Sequence, residues 1–249
     1  MTAYGSLASA YDGLTTDIPY DTILDFLEAI LHKSGKQPET VLDLACGTGS
    51  MSLLLAQRGY RVLASDISEE MLTVAAQKTS FLDRPPFYIC QSMQRLRLPE
   101  PVDAVFCLLD SLNYLDEPTD CKKTFERVFK ALKPGGMFLF DINTPEKLKG
   151  LNGQVFLDEN EESYCVWRAE FDEAENRCYY GIDLFRKQAA LWERSFEQHC
   201  EYAYSPEQLC AWLRECGFSE IRQYGDCVME APQPGEQRIY FSAVKEEMR

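Results

Sequence analysis

The sequence predicts an α/β fold, a mostly parallel sheet with helices on both faces, interrupted late in the chain by an antiparallel β insertion. Short, nearly all-apolar runs alternate with helical segments between Thr40 and Ile142, as strands buried on both faces require. The first of these runs ends in a glycine-bearing turn that opens a helix. From about Gln154 to Tyr204 the pattern changes to period-two alternation rich in Tyr, Phe and Trp, which reads as antiparallel strands.

In chain order, Ile23, Leu24, Leu27, Ile30 and Leu31 recur at helical spacing, and the helix ends toward Gly35. Thr40–Leu44 is the first strand. A helix follows from Ser50 to Gly59, with Gly59 as the stop. Arg61–Ser65 is the second strand, and Ser68 caps a helix with acids in its first turn. Pro86–Cys90 and Val102–Leu109 are further strands. A helix over Thr119–Lys133 is closed by Pro134-Gly135-Gly136, and Met137–Ile142 is the next strand. Within the insertion Asp172–Asn176 reads as a hairpin turn. Ser205-Pro-Glu-Gln is a capping box with Pro at the first helical position. That helix ends at Gly217, and strands at Glu220–Tyr224 and Arg238–Val244 finish the chain. The organisation expected is one domain from 1–150 and 205–249, with 151–204 inserted.

A chain of 249 residues buries roughly 70–75% of its unfolded surface, so it needs no staples. The 40 acidic residues outweigh 25 basic ones, for a net charge of -15. Without a basic run, nucleic acid is a disfavoured partner. No apolar run approaches a membrane span and the N-terminus has no signal-peptide pattern, so a cytoplasmic, membrane-free protein is expected. The ten cysteines are scattered without a CxxC pair and the only histidines are His32 and His199. Reduced core thiols and no metal site are therefore expected.

Val-Leu-Asp-Leu-Ala-Cys-Gly-Thr-Gly-Ser (41–50) is the most informative stretch. Gly47 and Gly49 let backbone approach a ligand closely, and Asp66 ends the next strand 19 positions after Gly47. An acid at that distance is placed to bind ribose hydroxyls; its plain alternative is helix capping. A dinucleotide would call for G-x-G-x-x-G to cradle a pyrophosphate, but Ser52 stands at the third glycine position. Asp43 just before the turn would also repel phosphate, whereas it suits a cofactor with an α-amino group. This chemistry favours S-adenosylmethionine over NAD.

The 41–50 motif, Asp66 with Met71, and Ala131-Leu-Lys-Pro-Gly-Gly-Met-Phe-Leu-Phe-Asp-Ile resemble the class I S-adenosylmethionine-dependent methyltransferases, in particular small stand-alone bacterial members. The resemblance covers roughly residues 38–145 and the closing helix and strands. It implies a Rossmann-like, doubly wound sheet of about seven strands with the last antiparallel. It further implies that Asp43, Ala45 and Gly47 lie near the methionine end and that Asp66 holds the ribose. Met71 would pack on adenine, and Ser92 and Met93 would line its edge. Many relatives have an acid where Ser92 stands, and Gln91 is the substitute considered. Asp110-Ser-Leu-Asn-Tyr114 resembles a loop that faces cofactor and acceptor. Tyr4 and Tyr11 resemble an N-terminal aromatic cover, Tyr11-Asp12 more closely. Cys46, Gly49, Ile67 and Leu108 complete the implied cofactor contacts.

Such a fold would transfer a methyl group to N or O of a small-molecule acceptor, mostly by alignment. His199 is the candidate base if a proton must leave. The insertion would act as an acceptor lid, with Trp167, Tyr179, Phe185 and Trp192 as apolar wall and Arg168, Arg186 and Arg194 as anion holders. Alternation puts Trp167 and Arg168 on opposite faces; the other reading of these residues is a packed sheet or a homodimer face. A nicotinamide-dependent dehydrogenase and a cofactor-binding regulator without turnover are the competing functions.

Overall fold

The strand–helix alternation builds a seven-stranded sheet in the computed structural model, which describes residues 12–13 and 17–246. In chain order the first elements are α1 (Tyr20–Lys33), β1 (Thr40–Leu44), α2 (Ser50–Gln57), β2 (Arg61–Asp66), α3 (Glu69–Thr79) and β3 (Phe87–Cys90). They continue with β4 (Val102–Cys107), α4 (Pro118–Ala131), β5 (Leu132–Asn143) and α5 (Pro145–Gly150). Strands β6 (Val155–Glu159), β7 (Ser163–Asp172), β8 (Arg177–Gln188) and β9 (Leu191–Tyr202) follow, then α6 (Pro206–Glu215), β10 (Phe218–Tyr224) and β11 (Arg238–Lys245).

The main sheet has the order β10-β11-β5-β4-β1-β2-β3. Strands β1 to β5 pair in parallel, and β11 runs antiparallel to both β5 and β10. Alternate residues of the central strands feed opposite layers. Val41, Ala104, Phe106 and Leu139 pack with α1 and α2, whereas Leu42, Val105, Phe138 and Phe140 pack with α4 and α6. Among the described residues no helix is long and apolar enough to cross a membrane, and the ten cysteines are free thiols.

The expected caps form. Ser68 Oγ accepts the Met71 N–H at 3.2 Å, and Ser205 Oγ accepts the Gln208 N–H at 3.1 Å. Several elements differ from the expectation; β5 begins at Leu132 rather than Met137 and β10 at Phe218 rather than Glu220. The fourth strand ends at Cys107 rather than Leu109, because Leu109 and Asp110 adopt positive φ of 56° and 52°. The helix expected to reach Lys133 stops at Ala131, since Leu132 already pairs with Val102. The short helix α5 was not anticipated; Thr144 caps it by accepting the Lys147 N–H at 3.1 Å.

Strands β6 to β9 form a separate antiparallel sheet in that order. Asp172 Oδ1 accepts the Ala174 and Glu175 N–H groups at 2.8 and 3.1 Å and closes the expected hairpin. Opposed residues share a face, so Trp167 lies beside Ile182 and Phe156 on the inner face, with Leu148 and Leu151 in the core beneath. Arg168 lies on the outer face, where it and Arg194 pair with Asp183.

Candidate active site

The turn after β1 is built from left-handed residues, with Ala45, Gly47 and Gly49 at φ of 62°, 53° and 76°. The Cys46 N–H donates to the Ser65 carbonyl at 3.0 Å and ties the turn to the end of β2. The two glycines do different things. A Cβ on Gly47 would meet no atom within 4 Å and would project into open space. A Cβ on Gly49 would lie 2.8 Å from Ala75 Cβ and 3.0 Å from the Tyr88 hydroxyl, so Gly49 lets α3 close against the turn. Gly49→Ala should therefore cost about 2–4 kcal/mol in urea unfolding, from left-handed strain plus overpacking. Gly47→Ala should cost about 1 kcal/mol, from strain alone. Equal losses for the two would refute this division.

Asp43 is 2% exposed, and the Ser52 hydroxyl donates to its Oδ2 at 2.5 Å. The residue at the missing-glycine position thus braces the buried acid. Burial pushes the Asp43 carboxyl up to about 6, with Asp66 adding repulsion. Asp66 Oδ2 accepts the Gly47 N–H and Oδ1 accepts the Ser68 N–H, each at 2.9 Å. Burial raises the Asp66 carboxyl too, against these backbone donors. The turn-capping alternative for Asp66 is thus real and leaves lone pairs on both oxygens.

A cavity of about 680 Å³ opens over this turn. Asp43, Ala45, Cys46 and Gly47 line one end, and Asp66, Ile67 and Met71 continue the wall. Gln91, Ser92 and Met93 follow, and Leu108, Asp110 and Tyr114 close the other side. Gly49 is not on this wall, for the packing reason given above, and Tyr11 and Tyr4 lie outside the described residues. The Gln91 amide is engaged at both ends by the Arg97 backbone, at 3.0 and 3.3 Å, so the structure gives it a bracing role rather than a free edge. Ser65 is 1% exposed, lines the cavity, and its hydroxyl has no hydrogen-bond partner.

The loop after β4 is held from below. Asp141, fully buried at the end of β5, accepts the Leu109 N–H at 2.7 Å through Oδ1 and the Asp110 N–H at 2.9 Å through Oδ2. Arg238 on β11 pairs with the same Asp141 and donates to Asp110 Oδ1 at 2.7 Å. Burial pushes the Asp141 carboxyl up, and Arg238 offsets this only in part. Asn113 joins the loop to the smaller sheet, donating to the carbonyls of Asn143 at 3.1 Å and Tyr202 at 3.0 Å. Behind it, Asn143 donates to the buried Glu201 at 3.0 Å, whose carboxyl is raised by burial and by Asp110.

His199 does not reach the cavity. Its side chain is 1% exposed, it bonds Glu197 at 3.1 Å, and its ring meets the Tyr114 ring edge-on at 6.0 Å. Tyr114 lines the cavity and His199 does not, so the structure does not support His199 as a base in contact with substrate. The acceptor wall expected from the insertion is also corrected, because no cavity-lining residue comes from 151–204. Trp167 packs inward, Tyr179 bonds Glu175 at 2.6 Å, and Arg168 and Arg194 are engaged by Asp183. Trp192 is 52% exposed, away from the cavity.

Tyr20 and Arg238 on the wall had no readable signal, and Thr48, inside the 41–50 motif, had no role read for it. Tyr20, at the start of α1, lines the cavity and hydrogen-bonds Ser50, and burial raises its phenol to about 12. Thr48 donates to Asp12 at 2.6 Å, and Lys78 pairs with Asp12 at 2.6 Å. Arg238 arrives from a strand 128 positions after Asp110. The helical period marks where α1 begins but not that Tyr20 faces a ligand.

Comparison with known proteins agrees with this geometry. Residues 41–136 match the family model described as "Methyltransferase domain". The chain is 34% identical to a Bacillus subtilis (strain 168) protein that carries the name methyltransferase YqeM, over 97% of both chains. It is similar to the crystal structure of an S-adenosylmethionine-dependent methyltransferase from Clostridium acetobutylicum, at 29% identity and TM-score 0.87, covering 99% of this chain and 100% of that one. The CcbJ methyltransferase of Streptomyces caelestis shares the fold, at 17% identity and TM-score 0.82 over 98% of each chain. With turn, ribose-distance acid and reversed last strand in one architecture, the chain belongs to the class I S-adenosylmethionine-dependent methyltransferases.

Proposed function

We propose that the cavity binds S-adenosylmethionine along the turn and Asp66, and that a small-molecule acceptor enters beside Asp110 and Tyr114 to be methylated on N or O. The observation that carries this is one continuous cavity joining the glycine turn, Asp66 and the loop after β4. The residues fit a nucleoside without phosphates. Gly47 leaves space for a ligand, Asp66 keeps lone pairs for a ribose diol, and the Ser65 hydroxyl awaits a partner. Asp43 would repel a pyrophosphate but attracts an α-ammonium group. Bound here, the cofactor supplies a methyl group on an electrophilic sulfonium.

The chain's own part is alignment. Asp141 and Arg238 hold the loop from Leu109 to Asp110 in one conformation, and orientation of this kind can remove roughly 7–11 kcal/mol of a barrier. Residues 1–150 and 205–249 are read as the cofactor domain and 151–204 as an insertion that backs this loop through Asn113 and His199. Calorimetric titration with S-adenosylmethionine, S-adenosylhomocysteine and NAD tests the reading; NAD binding without sulfonium-nucleoside binding would overturn it.

A pH dependence follows from Asp43. An ammonium ligand favours the ionised carboxylate, so affinity is full above the folded pKa and falls as pH drops through about 6. S-adenosylhomocysteine should bind more weakly at pH 5 than at pH 8, and Asp43→Asn should remove most of that slope. A flat profile in the parent protein would contradict the assignment.

A further inference from the structure

The outer face of the smaller sheet carries more apolar surface than a solvated face does. When one face of an antiparallel sheet packs on a core, the residues of the other face are normally polar. The inner face here closes on its own core with Leu148 and Leu151. Yet of ten exposed large hydrophobic side chains among the described residues, six lie in β6 and β9. The register places four of the six, Val155, Leu157, Trp192 and Phe196, on the outer face, each more than half exposed. The half-buried Val166 stands beside Leu157, and the Tyr164 and Phe185 rings lie 6.2 Å apart in the next row. Apolar surface therefore crosses all four strands, whereas scattered single residues would need no explanation.

Size and charge indicate what covers this face. Strands about 4.8 Å apart, rising about 3.4 Å per residue, give a footprint of roughly 500–600 Å² before side-chain relief is added. A stable protein–protein contact buries about 800 Å² on each partner, so the face is of the right order. Around the apolar side chains Arg168, Lys187 and Arg194 stand against Glu159, Glu162 and Asp183, three charges of each sign. The patch is neutral in a chain of net charge -15. An anionic membrane or a nucleic acid is met by an excess of cations, and a basic protein by an excess of acids. A second copy of this acidic chain needs a face with neither sign in excess, because acid meeting acid pushes the copies apart. The two arginines are satisfied within their own copy, since both pair with the buried Asp183. Covering them strands no charge.

We propose that this outer face is the contact between two copies of the chain, packed sheet on sheet about a two-fold axis. Leu157, Trp192 and Phe196 of each copy are buried there. Strand β9 links the contact to the cavity. Trp192 and Phe196 point outward from it, while farther along the strand His199 meets the Tyr114 ring and the Tyr202 N–H donates to the Asn113 carbonyl at 2.7 Å. The inserted sheet thus joins two protomers and backs the loop at Asn113 and Tyr114 in each.

Sedimentation velocity on the full chain between about 1 and 100 µM tests this, because self-association shifts with concentration. A dimer is expected at the upper end. The double variant Leu157→Lys/Phe196→Lys should weaken association by roughly 100-fold, with circular dichroism like the parent's because both side chains are exposed. Phe81→Lys/Phe87→Lys puts the same charges on two exposed aromatics outside the smaller sheet and should leave the dimer intact. Hydrogen exchange of the unaltered chain at the two concentrations needs no variant, and protection should be gained over β6 and β9. A parent protein that stays monomeric at the highest concentration would overturn the proposal, whether residues 1–11, another protein or nothing covers the face. So would a dimer that survives Leu157→Lys/Phe196→Lys, that gains its protection outside the smaller sheet, or that Phe81→Lys/Phe87→Lys dissociates.

Discussion

Asp66→Ala should weaken S-adenosylhomocysteine binding by roughly 100-fold. Two charge-assisted hydrogen bonds from a ribose diol, at about 1.5 kcal/mol each, account for about 3 kcal/mol. The substitution also frees the Gly47 and Ser68 N–H groups that Asp66 now satisfies. Some stability will go with it, about 1–2 kcal/mol if water replaces the carboxylate. Asp66→Asn separates the two effects: its amide oxygen keeps one acceptor for the backbone, so folding should recover more than affinity does. Calorimetry and urea unfolding on the three proteins give both numbers. Parent-like affinity in Asp66→Ala, with the protein folded, would end the ribose assignment.

Asp141→Ala should be the most damaging single change to stability near the site, at about 3–5 kcal/mol, because it leaves a largely buried guanidinium without its deepest partner. It also orphans the N–H groups of Leu109 and Asp110, both in left-handed conformations that this carboxylate stabilises. For a chain of this size the thermal midpoint should fall by roughly 10 °C. Asp141→Leu combined with Arg238→Met should cost less than the sum of the single changes, since neither charge is then stranded. Additive losses would show that the pair does not act as a unit. Because Asp110 lines the cavity, cofactor affinity in folded Asp141→Ala should also drop.

The glycine turn, its bracing acid and the acid ending β2 were legible because each depends on residues within about twenty positions, where strand and helix periods act directly. Ser52 shows the same locality in another way: its departure from a dinucleotide pattern became a hydrogen bond to Asp43, nine positions away. The smaller sheet was legible from its alternation, and so was the opposition of Trp167 to Arg168.

Periodicity says which residues share a face, but not what that face meets. By alternation alone Trp167 and its neighbours fit either an acceptor wall or a packed sheet, and the inner face of their sheet closes on its own core and on Leu148. His199 is a candidate base by residue type alone, yet it is buried against Glu197 and the Tyr114 ring and is not on the cavity wall. Arg238 joins Asp110 and Asp141 only because β11 returns antiparallel beside β5, which brings Arg238 opposite Asn143. Local sequence can specify a strand and a turn, since short-range sterics and hydrogen bonds decide them. Which charged groups end up buried together is decided by packing between segments far apart in the chain, 97 positions for Arg238 and Asp141, and no local pattern encodes that meeting.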